Sequence, residues 1–291
     1  MKRFFALFLI ICILSSLCAC SKNGTSAQIV ATTKPVYAFT EYLCRGTNIS
    51  VACLMEQNVS CLHEYTLQVN QIRMLEDAQI IIVSGAGLDS AFLEYIQPVQ
   101  EVIDCSESVV LLCTDETHAH SHDHNHEHDP HIWLSPKNAI IMADNISTQL
   151  TQIYPQYKDL FHANLTSLVK KLNDLQQYGN DALSTLECRD IITFHDGFSY
   201  LADDFNLNII ASIEEESGSE ASAAKIIELT SLVESHNLPA IFTERAGSAA
   251  SASIISSETG VAVYNLDLAM ANADYFAAMY HNINTLREAL G

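Results

Sequence analysis

Histidine is the residue type that carries chemistry in this chain. Seven of its 12 histidines fall within residues 118–131, HAHSHDHNHEHDPH. The alternation with Ala, Ser, Asp, Asn and Glu leaves that stretch no apolar face to bury, so it reads as a loop. Imidazoles two residues apart on a polar backbone suit borderline metals such as zinc, nickel or copper. His118, His120, His122, His124, His126 and His128 are therefore auxiliary metal-contact candidates. Such a tract offers many interchangeable geometries, whereas selectivity needs a rigid shell of about four ligands at roughly 2.0–2.3 Å. Three histidines beside predicted strand ends could build one: His63 in MEQNVSCLHEY, His131 in DPHIWLSP and His195 in TFHDG. A ligating imidazole usually gives its other N–H to a carboxylate or carbonyl, and Glu64, Asp129, Asp196 and Glu244 are the candidates by adjacency. Trp133, the one tryptophan, is expected to pack between lobes rather than to touch metal.

The elements that must position these residues alternate between short apolar runs and helical stretches. Ile29 to Ala31, Ile49 to Leu54, Gln79 to Ser84 and Val109 to Cys113 read as strands, with helices through Cys44, over Leu67 to Ala78 and over Ser90 to Ile96. The pattern resumes with strands at Ile191 to Thr193, Asn208 to Ala211, Ala240 to Thr243 and Val261 to Tyr264. Helices are expected at Gly197 to Asp204, Ala221 to Ser235, Ala249 to Ser256 and Ala273 to Leu290. Such alternation predicts an α/β fold of two lobes, each a mostly parallel sheet flanked by helices. Between them Pro136 to Glu187 is rich in helix formers, with Pro155 marking a break before a long helix. The expected division is an N-terminal lobe over 28–154, a connecting helix over 155–187 and a C-terminal lobe over 188–291. Ligands bind at the carboxyl ends of strands in such sheets, so histidines from both lobes point to a site in the cleft between them.

Composition narrows the function. The 291 residues carry 14 Lys plus Arg against 35 Asp plus Glu, a formal charge of −21, with 48% hydrophobic residues. A chain so acidic repels a phosphate backbone, which argues against nucleic acid and for a cation. Lys2 and Arg3, the apolar run Phe4 to Leu17 and the sequence Leu17-Cys18-Ala19-Cys20 read as a lipoprotein signal over 1–19, with Cys20 the acylated residue and 20–27 a linker. An exported location permits disulfides, and six cysteines remain after residue 20 (Cys44, Cys53, Cys61, Cys105, Cys113 and Cys188), with no connectivity implied. Cys53 and Cys113 read as small buried hydrophobes. Enzyme signatures fail. Gly85-Ala86-Gly87 opens like a dinucleotide fingerprint, but Ser90 stands at the third glycine, and P-loop, His-Glu-x-x-His and Gly-x-Ser-x-Gly patterns are missing. A metallohydrolase is conceivable from three histidines plus an open position, but no general base accompanies them. A zinc-buffering or adhesive surface lipoprotein would need the tract but neither His63 nor His195.

HEYTLQVNQIRMLEDAQIIIVSGAGLD, the acidic histidine tract, DPHIWLSP, ITFHDGFSYLADDFNL and SETGVAVYNLDLA together resemble the metal-binding lipoproteins that serve bacterial ABC importers, and within them the zinc-uptake members. The resemblance implies two lobes joined by a rigid long helix with one metal between them, and His63, His131 and His195 as ligands. It implies Asp267 as a fourth ligand, a place taken in other members by water or a nearby Glu. It further implies a monomeric binding protein outside the cytoplasmic membrane, attached only through its lipid, that hands Zn2+ to a membrane permease driven by an ATPase, with no catalysis. Imidazole-rich ligation favours zinc, since manganese prefers oxygen-rich shells. Manganese-type members carry a carboxylate where this chain has His195.

Overall fold

The computed structural model describes residues 27–55, 65–113, 128–214, 221–244, 249–269 and 274–291. His63, Glu64, Cys20, Cys61 and the tract histidines 118–126 lie outside these residues.

The first lobe is built on β1 (Ile29–Ala31), β2 (Val51–Cys53), β3 (Ile80–Val83) and β4 (Glu101–Asp104), all parallel in the order β2-β1-β3-β4. β1 and β3 are wholly buried, which is why they read as unbroken apolar runs. Helices α1 (Lys34–Leu43), α2 (Val69–Asp77) and the short α3 (Ser90–Leu93) connect the strands. The last strand corrects the sequence reading. Val109 to Cys113 is not a strand: residues 109–112 are irregular, and Cys113 is an isolated antiparallel bridge to His128 with its side chain exposed. The edge is instead Glu101–Asp104, where Ile103 alone is buried. An edge strand open on both sides carries little hydrophobic signal, so EVID passes for loop.

After a 3₁₀ turn at Ile132–Leu134 come two packed helices, α4 (Pro136–Ile153) and α5 (Lys158–Ala182), divided by a 3₁₀ turn that begins at Pro155. Ser135 caps α4, its Oγ accepting the Asn138 N–H at 3.1 Å, and Pro136 supplies a first helical residue that needs no donor. With 25 residues, α5 is about 37 Å long. Near its start, Asn164 Nδ2 donates to the carbonyls of Leu43 and Arg45 at the end of α1. Toward its end, the Tyr178 hydroxyl donates to Asn284 in the second lobe. Gly179 meets the Phe205 ring so closely that a Cβ would sit 2.2 Å from it. One helix thus braces both lobes.

The second lobe has β5 (Asp190–Thr193) pairing in parallel with β6 (Asn208–Ser212), and β7 (Ala240–Glu244) with β8 (Ala262–Leu266). β5 lies beside β7. Helices α6 (Ser199–Phe205), α7 (Ala223–His236), α8 (Ala250–Thr259) and α9 (Tyr275–Leu290) complete it. One apolar core runs from Ile29 through Trp133 and α5 to Leu290, crossing from lobe to lobe, and a smaller one under α7 and α8 is formed by residues such as Leu229, Ile241 and Ile255.

Candidate metal centre between the lobes

The carboxyl ends of β5, β7 and β8 each bring a chemically active side chain to the same edge of the second lobe. His195 stands two residues beyond β5, Glu244 is the last residue of β7, and Asp267 follows β8. The loop holding His195 is fixed by its own backbone, since the His195 carbonyl accepts the Gly197 N–H at 2.9 Å and the Thr193 hydroxyl at 3.1 Å. Because β5 lies beside β7, the His195 imidazole reaches Glu244, and Nδ1 hydrogen-bonds to Oε1.

His131 arrives from the other side, just before the 3₁₀ turn that opens α4. Asp129 holds it twice through Oδ1, which accepts the His131 backbone N–H at 2.9 Å and lies 2.8 Å from Nδ1. A carboxylate only accepts, so the proton of each ring sits on Nδ1 and Nε2 is the nitrogen left for a metal. The two rings meet edge to face with centroids 5.3 Å apart. Both residues are buried, and among the described residues His195 Nε2 has no hydrogen-bond partner. An orphaned buried imidazole nitrogen beside a second imidazole is costly unless something electron-accepting fills the place.

Electrostatics agree with the geometry. Burial opposes charge on His195, but the hydrogen bond and charge of Glu244, helped by Asp129 and Asp196, outweigh it and raise its pKa. Burial likewise opposes ionisation of Asp129, but the hydrogen bonds and charge of His131 hold its carboxyl below the usual range. Two buried carboxylates thus back the paired imidazoles through their Nδ1 atoms.

The lobes are stitched around this point. Trp133 is fully buried, its indole N–H donating to the Leu268 carbonyl at 2.7 Å, while the Tyr275 hydroxyl donates to the Trp133 carbonyl at 2.8 Å. The Tyr200 hydroxyl donates to the Asp129 carbonyl and accepts the Leu112 N–H. Trp133 packs between the lobes as expected, edge to face with His131. Asp129 and Glu244 take the supporting positions anticipated for them, while Asp196 acts on His195 only by its charge.

The structure thus brings His131 and His195 together. Asp267 is buried on the neighbouring strand end, its Oδ1 accepting the Ala269 N–H and its backbone bonded twice to Asn282. Among the described residues no three His, Cys, Asp or Glu side chains are grouped to hold a metal. His63 belongs to the connection between β2 and α2, outside them. Two residues whose roles sequence reasoning missed are Gly197 and Tyr200. A Cβ on Gly197 would lie 2.6 Å from His195 Nε2 and 3.2 Å from His131 Cε1, so any larger residue would fill the space beside that nitrogen. Both residues sit within the FHDGFSY run, and their spacing from His195 was the available signal.

Comparison with known proteins gives a consistent picture. The family model described as zinc-uptake complex component A, periplasmic (ZnuA), matches residues 29–289. A zinc-binding lipoprotein of Streptococcus pneumoniae, AdcA, is 28% identical over 301 aligned positions that cover 95% of this chain and 60% of that protein, so the chain spans well under the full length of this curated relative. Among solved structures, a ZnuA crystal structure superposes with a TM-score of 0.82 at 28% identity, covering 91% of this chain and 99% of the other. The Zn(II)-bound AdcA of S. pneumoniae superposes at 0.75 with 27% identity, over 90% of this chain and 57% of the other. Among the described residues no helix is long and apolar enough to cross a membrane.

Proposed function

The chain belongs to the family of zinc-uptake complex component A, whose members are solute-binding components and not enzymes, and from that membership we propose that it captures Zn2+ outside the cytoplasmic membrane and hands it to an ABC importer. The observation that carries this reading is the buried His131–His195 pair, with Nδ1 of each ring held by a carboxylate and His195 Nε2 without a partner among the described residues. His63 supplies the third imidazole and Asp267 the fourth ligand, its place open otherwise to water or another carboxylate. Zinc tolerates this nitrogen-rich tetrahedral set, and manganese does not prefer it. A carboxylate as fourth ligand closes the shell, so the metal is cargo and no covalent chemistry follows.

The partners are a membrane permease and its cytoplasmic ATPase. Cleavage after residue 19 and acylation of Cys20 would tie the protein to the membrane through lipid alone. The histidine tract gathers zinc at low affinity, while the buried site gives selectivity.

The test is calorimetric titration of metal-stripped residues 21–291 with zinc and then manganese, beside the His195→Ala variant. One tight zinc site, weaker manganese binding and loss of the tight site in the variant are expected. Several weak sites indifferent to His195→Ala would refute the importer reading and favour a buffering or surface role.

A further inference from the structure

The segment that carries His131 is fastened to the second lobe at alternate residues on either side of that histidine. The Asp129 carbonyl accepts the Tyr200 hydroxyl at 2.9 Å, and Trp133 donates to Leu268 and accepts from Tyr275. Further along, the Ser135 hydroxyl donates to Asp204 Oδ2 at 2.6 Å, and Lys137 Nζ lies 2.5 Å from Asp204 Oδ1. His131 stands inside this series, with its ring edge to face against that of His195. Residues 129 to 137 precede and open α4, yet their bonds run to α6, to α9 and to the chain that follows β8.

Asp204 is the member of this set that local rules do not favour. A carboxylate in the last turn of a helix meets that helix's negative end, and its side chain is only 3% exposed, which adds a desolvation cost. The Ser135 hydroxyl, the Lys137 ammonium and the positive N-terminus of α4 offset both. Because Ser135 gives its single hydroxyl proton to Asp204, its lone pairs are left to accept the Asn138 N–H that starts α4. Tyr200 and Asp204 lie four residues apart, hence on one face of α6, and hold the segment two residues before His131 and four after it. α6 itself begins four residues after His195. One short helix therefore ties the segment of one histidine to the loop of the other.

We propose that Asp204 is a positioning residue for metal binding: with Tyr200 it holds His131 against His195, so that the two imidazoles stand as a preassembled half-site before metal arrives. Asp204 is not itself a ligand, since its two oxygens are taken by Ser135 and Lys137. It acts through the cap of α4 and the turn that His131 opens, in which the His131 carbonyl accepts the Leu134 N–H at 3.1 Å. Without that anchor the start of α4 loses its fixed place on the second lobe, and the His131 ring its fixed distance from His195. Apparent affinity then falls in proportion to the fraction of molecules in which the rings are still paired. This role presupposes the zinc capture proposed above, whereas the grip on the segment does not.

Zinc affinity, measured on metal-stripped protein against a competing chelator, reads the effect. Asp204→Ala should weaken binding about tenfold, the result of a competent fraction reduced to about a tenth. Asp204→Asn keeps an oxygen that accepts the Ser135 hydroxyl and should recover most of the loss. In a His131→Ala background Asp204→Ala should change affinity by less than about twofold, because the ring it positions is gone. Equal weakening with and without His131, or no weakening at all, overturns the assignment. In the metal-free protein, hydrogen exchange at the Leu134 amide should quicken about tenfold or more in Asp204→Ala, while amides of β3 keep their rates. Unchanged exchange at Leu134 overturns preassembly even where affinity falls. Tyr200→Phe frees the other end of the segment and gives the same comparison where Asp204→Ala does not fold. Absence of a tight zinc site in the unmodified protein would count against the zinc reading, and the metal-free exchange rates would still decide whether Asp204 holds the His131 turn.

Discussion

Replacing Gly197 by alanine adds a single methyl group, and the structure says where it goes. It would lie 2.6 Å from His195 Nε2 and 2.9 Å from His195 Cε1, when ordinary contacts begin at 3.4 Å. The deficit of about 0.8 Å cannot be absorbed by a small rotation, because Nδ1 of that ring is held by Glu244 and the residue is buried. On the other side the methyl would lie 3.2 Å from His131 Cε1, so the ring cannot simply follow its partner. Either the imidazole leaves Glu244 or the loop shifts, and in both cases the nitrogen assigned to metal is displaced or covered. Loss of a supporting partner alone costs about 10–100-fold in metal affinity, and steric cover adds to it. Zinc affinity should therefore fall at least 100-fold, about 2.7 kcal/mol. The metal-free protein should lose about 1–3 kcal/mol of stability, as overpacking of a filled interior does. Calorimetry with a competing chelator measures the first, and urea unfolding the second. Zinc binding within threefold of the unmodified protein would refute the placement of the metal at His195 Nε2.

Glu244→Gln should weaken zinc binding about 10–100-fold and move its pH dependence. In the metal-free protein the pKa of His195 is raised, so its pairing with Glu244 stabilises the fold fully below the ordinary histidine value of about 6.5 and loses that contribution as pH rises through the raised pKa. Zinc competes with the same proton, so affinity should decline on acidification from a higher pH than an ordinary histidine would set, and Glu244→Gln should shift that decline to lower pH; identical titrations of competitive zinc binding would oppose this account. Trp133→Phe leaves the buried Leu268 carbonyl without its 2.7 Å donor and should destabilise the protein by about 1–3 kcal/mol in thermal or urea unfolding. An unchanged midpoint would mean that the bond does not couple the lobes. Deleting residues 118–128 should leave one tight zinc site in a calorimetric titration, and its loss would show that the tract builds the site instead of feeding it.

Much of this was legible in the chain because apolar runs and their spacing are local properties. Ile80–Val83 and Ile241–Phe242 announce buried strands, and Pro155 the break before α5. DPHIWLSP encodes a cap and a helix start in Ser135-Pro136. Glu101–Asp104 carries little strand signal because an edge strand needs few apolar residues, and the apolar run Val109 to Cys113 implies a burial that the exposed Cys113 does not have. Adjacency names Asp129 beside His131 but favours Asp196, the neighbour of His195, over Glu244, and the structure gives the hydrogen bond on His195 Nδ1 to Glu244. Forty-nine positions separate His195 from Glu244, and their contact exists only because β5 and β7 run side by side.

The sequence by itself determined which residues can ligate a metal, the α/β alternation that sets strand ends toward a cleft, and an acidic surface suited to cations. Local chemistry and periodicity suffice for these, since each depends on a residue and its near neighbours. Only the tertiary structure decided which histidines meet, which nitrogen of each ring is left for metal, and why a glycine must stand beside them. Those follow from packing between segments far apart in the chain, where a single methyl group or one strand's choice of neighbour sets the geometry of the centre.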